Sequence, residues 1–206
     1  MRKGDHTTTT GRPLEPGRLT QSWPLLHAHS LTVRALRPED ADLVARLGFA
    51  LSQESRYDRF LGGGVRYTRE LLDRLVHVDF SRDLALIATV TLAGVETPVG
   101  IARYVRALDS AGAEIAVTVA DAWQGGGLGR FLLERLIEVA RGNGVRQLSG
   151  DVLATNVRML RLARRMGFRV ETHAEGPTLR RVVKDLDDEP SASASTPVGS
   201  ASETEA

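Results

Sequence analysis

Between residues 124 and 130 the chain reads Gln124-Gly125-Gly126-Gly127-Leu128-Gly129-Arg130. This stretch follows a strand-like run, Ile115 to Ala120, and opens an amphipathic helix, Leu128 to Arg141. Such a turn aims a row of backbone N–H groups at one spot. The positive end of the helix dipole adds to them, so the place suits an anion, phosphate best of all. Glycines let the main chain approach closely because no Cβ intervenes. A kinase-type P-loop would need Lys then Ser or Thr after its last glycine, whereas Gly129 is followed by Arg130 and Phe131. A dinucleotide turn would need G-x-G-x-x-G after the first strand. Counting six positions from Gly125 ends on Arg130, and from Gly127 on Leu132. What remains is Gln-x-x-Gly-x-Gly, on Gln124, Gly127 and Gly129, or else a plain glycine-rich strand-to-helix turn.

Other residues could take part in chemistry. Glu114 stands at the start of the strand that runs into this turn. Alternation places Glu114, Ala116 and Thr118 on one face, with Ile115, Val117 and Val119 on the other. Glu114 is a candidate base, or an outward-facing Glu on a half-exposed strand. Asn156 opens the helix that follows a Val145–Leu153 strand, where a helix cap is the competing role. Arg158, Arg161 and Arg165 share a helical face, either solvated or in contact with an anion. His6, His27, His29, His77 and His173 show no metal-ligand spacing, and no metal is expected. The absence of cysteine excludes disulfides, thiolate metal sites and a Cys nucleophile.

These groups need a scaffold. The 206 residues suffice for one domain with tails. A net charge of +1 argues against a general nucleic-acid or membrane-surface binder. No apolar run is long enough to span a membrane, and the N-terminus lacks an apolar signal core. A cytoplasmic protein is expected. Residues 1–29 read as a disordered tail, 30–186 as the folded domain and 187–206 as a Ser/Ala-rich low-complexity tail. Within the domain, Leu31 to Ala35 alternates as a strand. Arg37-Pro38-Glu39-Asp40 opens a helix, Glu54 to Leu61 forms a second, and Thr68 caps a third. Strands are expected at Asp83–Leu92, Pro98–Leu108 and Ala113–Ala120. The helix after the glycine turn buries Leu128, Leu132, Leu136 and Val139 and ends at Gly142-Asn143-Gly144. A strand Val145–Leu153, a helix Thr155–Met166 and strands Phe168–His173 and Leu179–Leu186 complete the chain.

The Gln124–Arg130 motif resembles the pyrophosphate loop of the GNAT acetyltransferase superfamily. The expected order, β-α-α-β-β-β-α-β-α-β-β, is the GNAT order with an extra helix in the first crossover. More narrowly, the chain resembles the acetyltransferase domain of bacterial protein lysine acetyltransferases of the Pat type. The marks are Glu54-Ser55-Arg56-Tyr57-Asp58-Arg59-Phe60, Ala113-Glu114-Ile115-Ala116, Trp123-Gln124-Gly125, and Met159 to Phe168. The resemblance covers roughly residues 31–183. It implies an α+β (mixed α/β) GNAT fold, a single domain with a central, mixed, mostly antiparallel sheet flanked by helices.

The resemblance also implies roles. Acetyl-CoA is the co-substrate. Gln124, Gly125, Gly126, Gly127, Leu128, Gly129 and Arg130 hold its diphosphate. Val117, Thr118 and Val119 receive the acetyl and pantetheine arm, and Asn156 binds that arm as well. Glu114 is the catalytic carboxylate. The chemistry requires one, because an amine with a lysine pKa of about 10.4 is neutral only about once in 2,500 molecules at pH 7, a penalty of roughly 4.6 kcal/mol. The family usually has a Tyr four residues before its Gly-Phe pair, as general acid for the leaving thiolate. Here the pair is Gly167-Phe168 and the position is Ala163, a loss also common in the Pat subgroup. A thiol with a pKa of about 8.5 can leave as thiolate without a strong acid. The expectation is an N-acetyltransferase working by direct transfer in a ternary complex, with a protein lysine as acceptor. A small amine or antibiotic, or a silent acyl-CoA sensor, is the alternative. The partners expected are acetyl-CoA and the acceptor, with no nucleic acid or membrane, in a monomer or homodimer.

Overall fold

The computed structural model describes residues 21–24, 30–62, 64–80, 82–106 and 111–187, with backbone alone for 21–24 and 30. Its elements follow the hydrophobic periodicities of the chain. Strands β1 (Gln21–Pro24) and β2 (Ser30–Ala35) lead into a short 3-10 turn, Pro38–Asp40, and helix α1 (Ala41–Ala50). Helices α2 (Gln53–Arg59) and α3 (Arg69–Val76) complete the first crossover. Strands β3 (Asp83–Leu92), β4 (Val95–Arg106) and β5 (Gly112–Val119) run to the glycine turn and helix α4 (Leu128–Gly142). Strand β6 (Gln147–Leu153), helix α5 (Val157–Arg165), and strands β7 (Arg169–Thr172) and β8 (Leu179–Asp185) finish the domain. The first crossover therefore holds three helices. Strand β1 falls inside the segment read as a tail, and the remaining tail residues lie outside the described ones.

The strands form one sheet in the order β1-β2-β3-β4-β5-β6-β8-β7. All pairs are antiparallel except β5 with β6. That parallel ladder is short, joining Gly112–Glu114 only to Gln147–Ser149. Beyond it the two strands part. A register shift at Ala88/Thr89 leaves Val99 as an extra residue on β4.

Each face of the sheet is covered where its side chains are apolar. Helix α4 lays Leu128, Leu132, Leu133, Leu136, Ile137, Val139 and Ala140 on one face, as its 3.6-residue stripe dictates. Leu132, Leu133 and Leu136 have no accessible surface. Each contributes about 1.5–3 kcal/mol by leaving water. Leu160 and Ala163 of α5 and the neighbouring Phe168 join this main core. On the opposite face Leu36, Val44, Val76, Ala85 and Ile87 make a smaller core beneath the first crossover. Caps fix the crossover helices: the Ser52 and Thr68 hydroxyls accept from the N–H groups of Ser55 and Leu71, at 3.1 and 3.3 Å. Helix α4 stops at Asn143, whose side-chain amide donates to the Tyr104 hydroxyl at 2.8 Å.

Candidate active site

The glycine turn is built for its left-handed backbone. Gly125 and Gly127 have φ of +80° and +90°, and a Cβ at either would meet nothing within 4 Å. Glycine is required there for its conformation, not for space. Gly127 is the N-cap of α4 and no side chain caps the helix. The N–H groups of Leu128, Gly129 and Arg130, in the first turn, therefore face outward with the positive end of a fifteen-residue helix behind them. A Cβ on Gly129 would come within 3.5 Å of Leu162 and 3.6 Å of Val119, so this glycine sits where β5, α4 and α5 converge. Gly126 and Arg130 line a surface hollow with Leu31, Phe131 and Glu134, and Arg130 pairs with Glu134 at 2.7 Å.

Gln124 uses its side chain to tie elements together. Its amide donates to the Val119 carbonyl at 3.0 Å and to Ser55 Oγ at 3.2 Å, and its oxygen accepts from Arg158 at 2.8 Å. Asp121 does similar work. It accepts from the Ser52 N–H and from the Ser52 and Ser55 hydroxyls at 2.8–2.9 Å. Burial would raise its carboxyl, but these bonds outweigh that and hold it below the usual range. The start of α2 is thereby pinned to the end of β5. Sequence spacing gives no sign of this link, since 69 residues separate Ser52 from Asp121.

The gap beside β5 exposes main chain. The Ala120 N–H donates to the Val99 carbonyl at 2.9 Å. Alternation then turns the N–H and C=O groups of Val117 and the N–H of Val119 away from β4, toward the place where β6 has departed, while the Val119 C=O is taken by Gln124. Thr118 faces the opposite way along the ladder, and its side chain lines a pocket under the first crossover. Glu114 is the last residue of β5 paired to β6, through Ser149, and its side chain is exposed on the same face as Thr118. Asn156 caps α5: its Oδ1 accepts from the Met159 N–H at 2.9 Å. That leaves its amide nitrogen as the group able to donate elsewhere. Arg158, Arg161 and Arg165 are all exposed. Ala163 is 1% exposed and packs in the main core, so α5 presents no general acid there.

One constellation was not read from the sequence. Arg59 at the end of α2 and Arg103 in the middle of β4 line the pocket together with Tyr67, Thr118, Phe60 and Leu36. The Arg59 guanidinium lies 5.2 Å from the centroid of the Phe60 ring, and Phe60 meets Tyr67 edge-on at 6.1 Å. Burial, and then the charge of Arg103, push Arg59 below arginine's usual value; burial does the same to Arg103. Burial raises the Tyr67 phenol, against the opposing charges of Arg59 and Arg56, so it stays a donor at neutral pH. A lone charge within the otherwise uncharged run Val99-Gly100-Ile101-Ala102-Arg103-Tyr104-Val105 was the available signal.

Known proteins are similar to this chain in sequence and in fold. The "Acetyltransferase (GNAT) family" matches residues 51–168. An acetyltransferase of Pseudomonas aeruginosa is 38% identical over 136 residues, 66% of this chain and 73% of that one. Acetyltransferase Pat of Mycolicibacterium smegmatis is 34% identical over 137 residues, 66% of this chain but only 40% of Pat. Among solved structures, the GNAT domain of S. lividans PAT superposes with a TM-score of 0.74 at 28% identity, over 84% of this chain and all of that one. The protein yncA of Salmonella typhimurium, solved with acetyl-CoA, shares the fold with a TM-score of 0.59 at 22% identity, over 80% of this chain and 98% of its own. The family match spans more than half of the chain and includes the glycine turn, Glu114 and Asn156. The chain belongs to the GNAT family of acetyltransferases.

Proposed function

We propose that the chain is an acetyl-CoA-dependent N-acetyltransferase that acts on a primary amine, with a protein lysine as the first acceptor class. The observation that carries this is the parting of β5 from β6 directly beside the uncapped start of α4. The residues fit the cofactor: left-handed glycines and first-turn N–H groups suit a diphosphate, and the free edge of β5 suits an extended amide-bearing arm. Bound acetyl-CoA supplies an activated acetyl thioester. Leu128, Gly129 and Arg130 bind the phosphates through main-chain N–H groups. Val117 and Val119 orient the arm along the sheet edge, and the Asn156 amide nitrogen supports it from α5.

Glu114 lies at the closed end of the gap and accepts the proton of the incoming amine, directly or through a water. No acid on α5 is needed, because a thiolate is an adequate leaving group. The domain limits, 30–186 or from β1, and a monomer or homodimer in the cytoplasm belong to the same reading. Among the described residues no helix is long and apolar enough to cross a membrane.

Glu114→Gln tests the mechanism. The rate is expected to fall at least tenfold, at the lower end of what a general base contributes, with little change in acetyl-CoA affinity. Unchanged turnover would remove Glu114 from the mechanism. Radiolabelled acetyl-CoA offered with protein lysates and with small amines decides the acceptor class. Label in small amines alone would favour the second reading, for which the partly enclosed pocket beside Thr118 is the argument.

A further inference from the structure

The pocket beneath α1, α2 and α3 holds two positive charges in an otherwise mostly apolar lining. Its cavity volume is about 70 Å³, opening to solvent on one side. Neither Arg59 nor Arg103 forms an ion pair among the described residues, and the Arg103 Nε is shut off from solvent with no hydrogen-bond partner. Asp83 and Glu114 are close enough to act on them through charge, on Arg103 and Arg59 respectively, but neither closes to contact. Both side chains are half-buried, and holding a charge part-way out of water without a partner is unfavourable, more so with a like charge beside it. A fold keeps such an arrangement where something else supplies the counter-charge.

Position says what the counter-charge belongs to. Across the β4–β5 ladder, Arg103 faces Ala116 and Val105 faces Glu114. Arg103 is thus diagonal to Glu114 on one face of the sheet, a separation of about 7–8 Å. Thr118, on that same face, adds a hydroxyl, and Tyr67 adds a phenol. Guanidinium and phenol groups donate hydrogen bonds, and the guanidinium fork matches the plane of a carboxylate. Leu36, Leu47, Ile101 and Phe60 surround these donors with carbon. That lining suits a single carboxylate on a short carbon stem. A phosphate would need donors on every side.

Resting on the acetyl-transfer reading above, we propose that Arg59 and Arg103 form an acceptor subsite for a carboxylate, so that the preferred amine carries a negative charge close to its nitrogen. Glu114 receives the amine end while the two arginines and Tyr67 hold the acid end. The carboxylate belongs either to a free amino acid or to an acidic residue beside a protein lysine. An acceptor bearing only positive charge is repelled by the same pair.

The test uses two matched pairs of acceptors with saturating acetyl-CoA: 4-aminobutyrate against butylamine, and lysine peptides with Glu against Gln beside the lysine. In at least one pair the carboxylate member is expected to have a KM lower by tenfold or more, the scale of a charge-assisted hydrogen bond. Arg103→Met and Arg59→Met are each expected to shrink that preference to about threefold or less, the residue left when one donor of the pair is lost. The pair that shows the preference names the source of the carboxylate. Equal KM values within both pairs would overturn the proposal, as would a preference that survives both substitutions. If a substitution unfolds the chain, the wild-type pairs decide alone. Calorimetric titration of the same compounds into CoA-loaded protein reads the preference without turnover. A chain that acetylates nothing would therefore sink the enzyme reading while binding still decides the subsite.

Discussion

Two sets of arginines on the sheet face beneath the first crossover are handled in opposite ways. Arg34 on β2 has its fork closed on Asp40, with contacts of 2.6 and 2.8 Å, and reaches Glu96 at 3.2 Å. Hydrogen bonding to Asp40 raises Arg34 above its usual value despite burial. Burial would raise Asp40, but Arg34 and the Arg37 N–H outweigh it and hold the carboxyl low. Arg59 and Arg103 are pushed the other way, down, by burial without a partner. The first set is complete in the folded chain and holds β2 to the turn before α1. The second is incomplete, and it lies near enough to Glu114 for that carboxylate to act on Arg59 through charge. On the proposal above, the paired charge holds the fold together, and the two unpaired guanidiniums are completed by the substrate's carboxylate.

Breaking each set should separate them. The largest effect is expected from Arg34→Ala, which strands the Asp40 carboxylate at 8% side-chain exposure. The expected loss is about 3 kcal/mol, read by thermal or urea unfolding. A loss below about 1 kcal/mol, the worth of a surface pair, would show that the pair is effectively solvent-screened.

Acid titrates the same contact. A carboxyl held low when folded contributes stability that is present above its unfolded value of about 3.9 and is lost as the pH falls through the lower folded value. The gap in melting temperature between wild type and Asp40→Asn should therefore shrink as the pH drops below about 4. A gap that does not change with pH would assign the destabilisation to something other than the charge.

The smallest effect on stability is expected from Arg103→Met. Replacing an unpartnered, half-buried charge with an apolar side chain of similar length should be neutral or stabilising by about 1 kcal/mol. A clear loss, approaching that of Arg34→Ala, would mean that Arg103 is structural and would erase the contrast.

The scaffold was legible because it rests on local signals. The stripe Leu128, Leu132, Leu136 and Val139 could bury itself only as a helix, and it does so in α4. Thr68 caps α3 as its place before Arg69 requires. The glycine turn declared its left-handed positions through residue type, at Gly125 and Gly127. Alternation put Glu114 and Thr118 on one face, and the sheet keeps them there. What escaped reading depends on contacts between distant segments. Gln124 is expected to hold the cofactor, and the fold adds a second role that sequence does not show, since its side chain joins β5, α2 and α5. Arg59 and Arg103 are 44 positions apart, and only the folding of the first crossover over β4 and β5 brings both to one pocket. Strand β1, with the polar sequence Gln21-Ser22-Trp23-Pro24, has no alternating apolar pattern to announce it.

The account stands on the grip of the α4 N-terminus on a diphosphate. Calorimetric titration of the full chain with coenzyme A, with pantetheine, and with coenzyme A against Gly127→Val measures it most directly. Binding heat from coenzyme A is expected, with little from pantetheine, which lacks the diphosphate. Weakening by about tenfold is expected in Gly127→Val, since a β-branched residue resists φ near +90° by 1–2 kcal/mol or more. No heat from coenzyme A, or equal heats from coenzyme A and pantetheine, would contradict it.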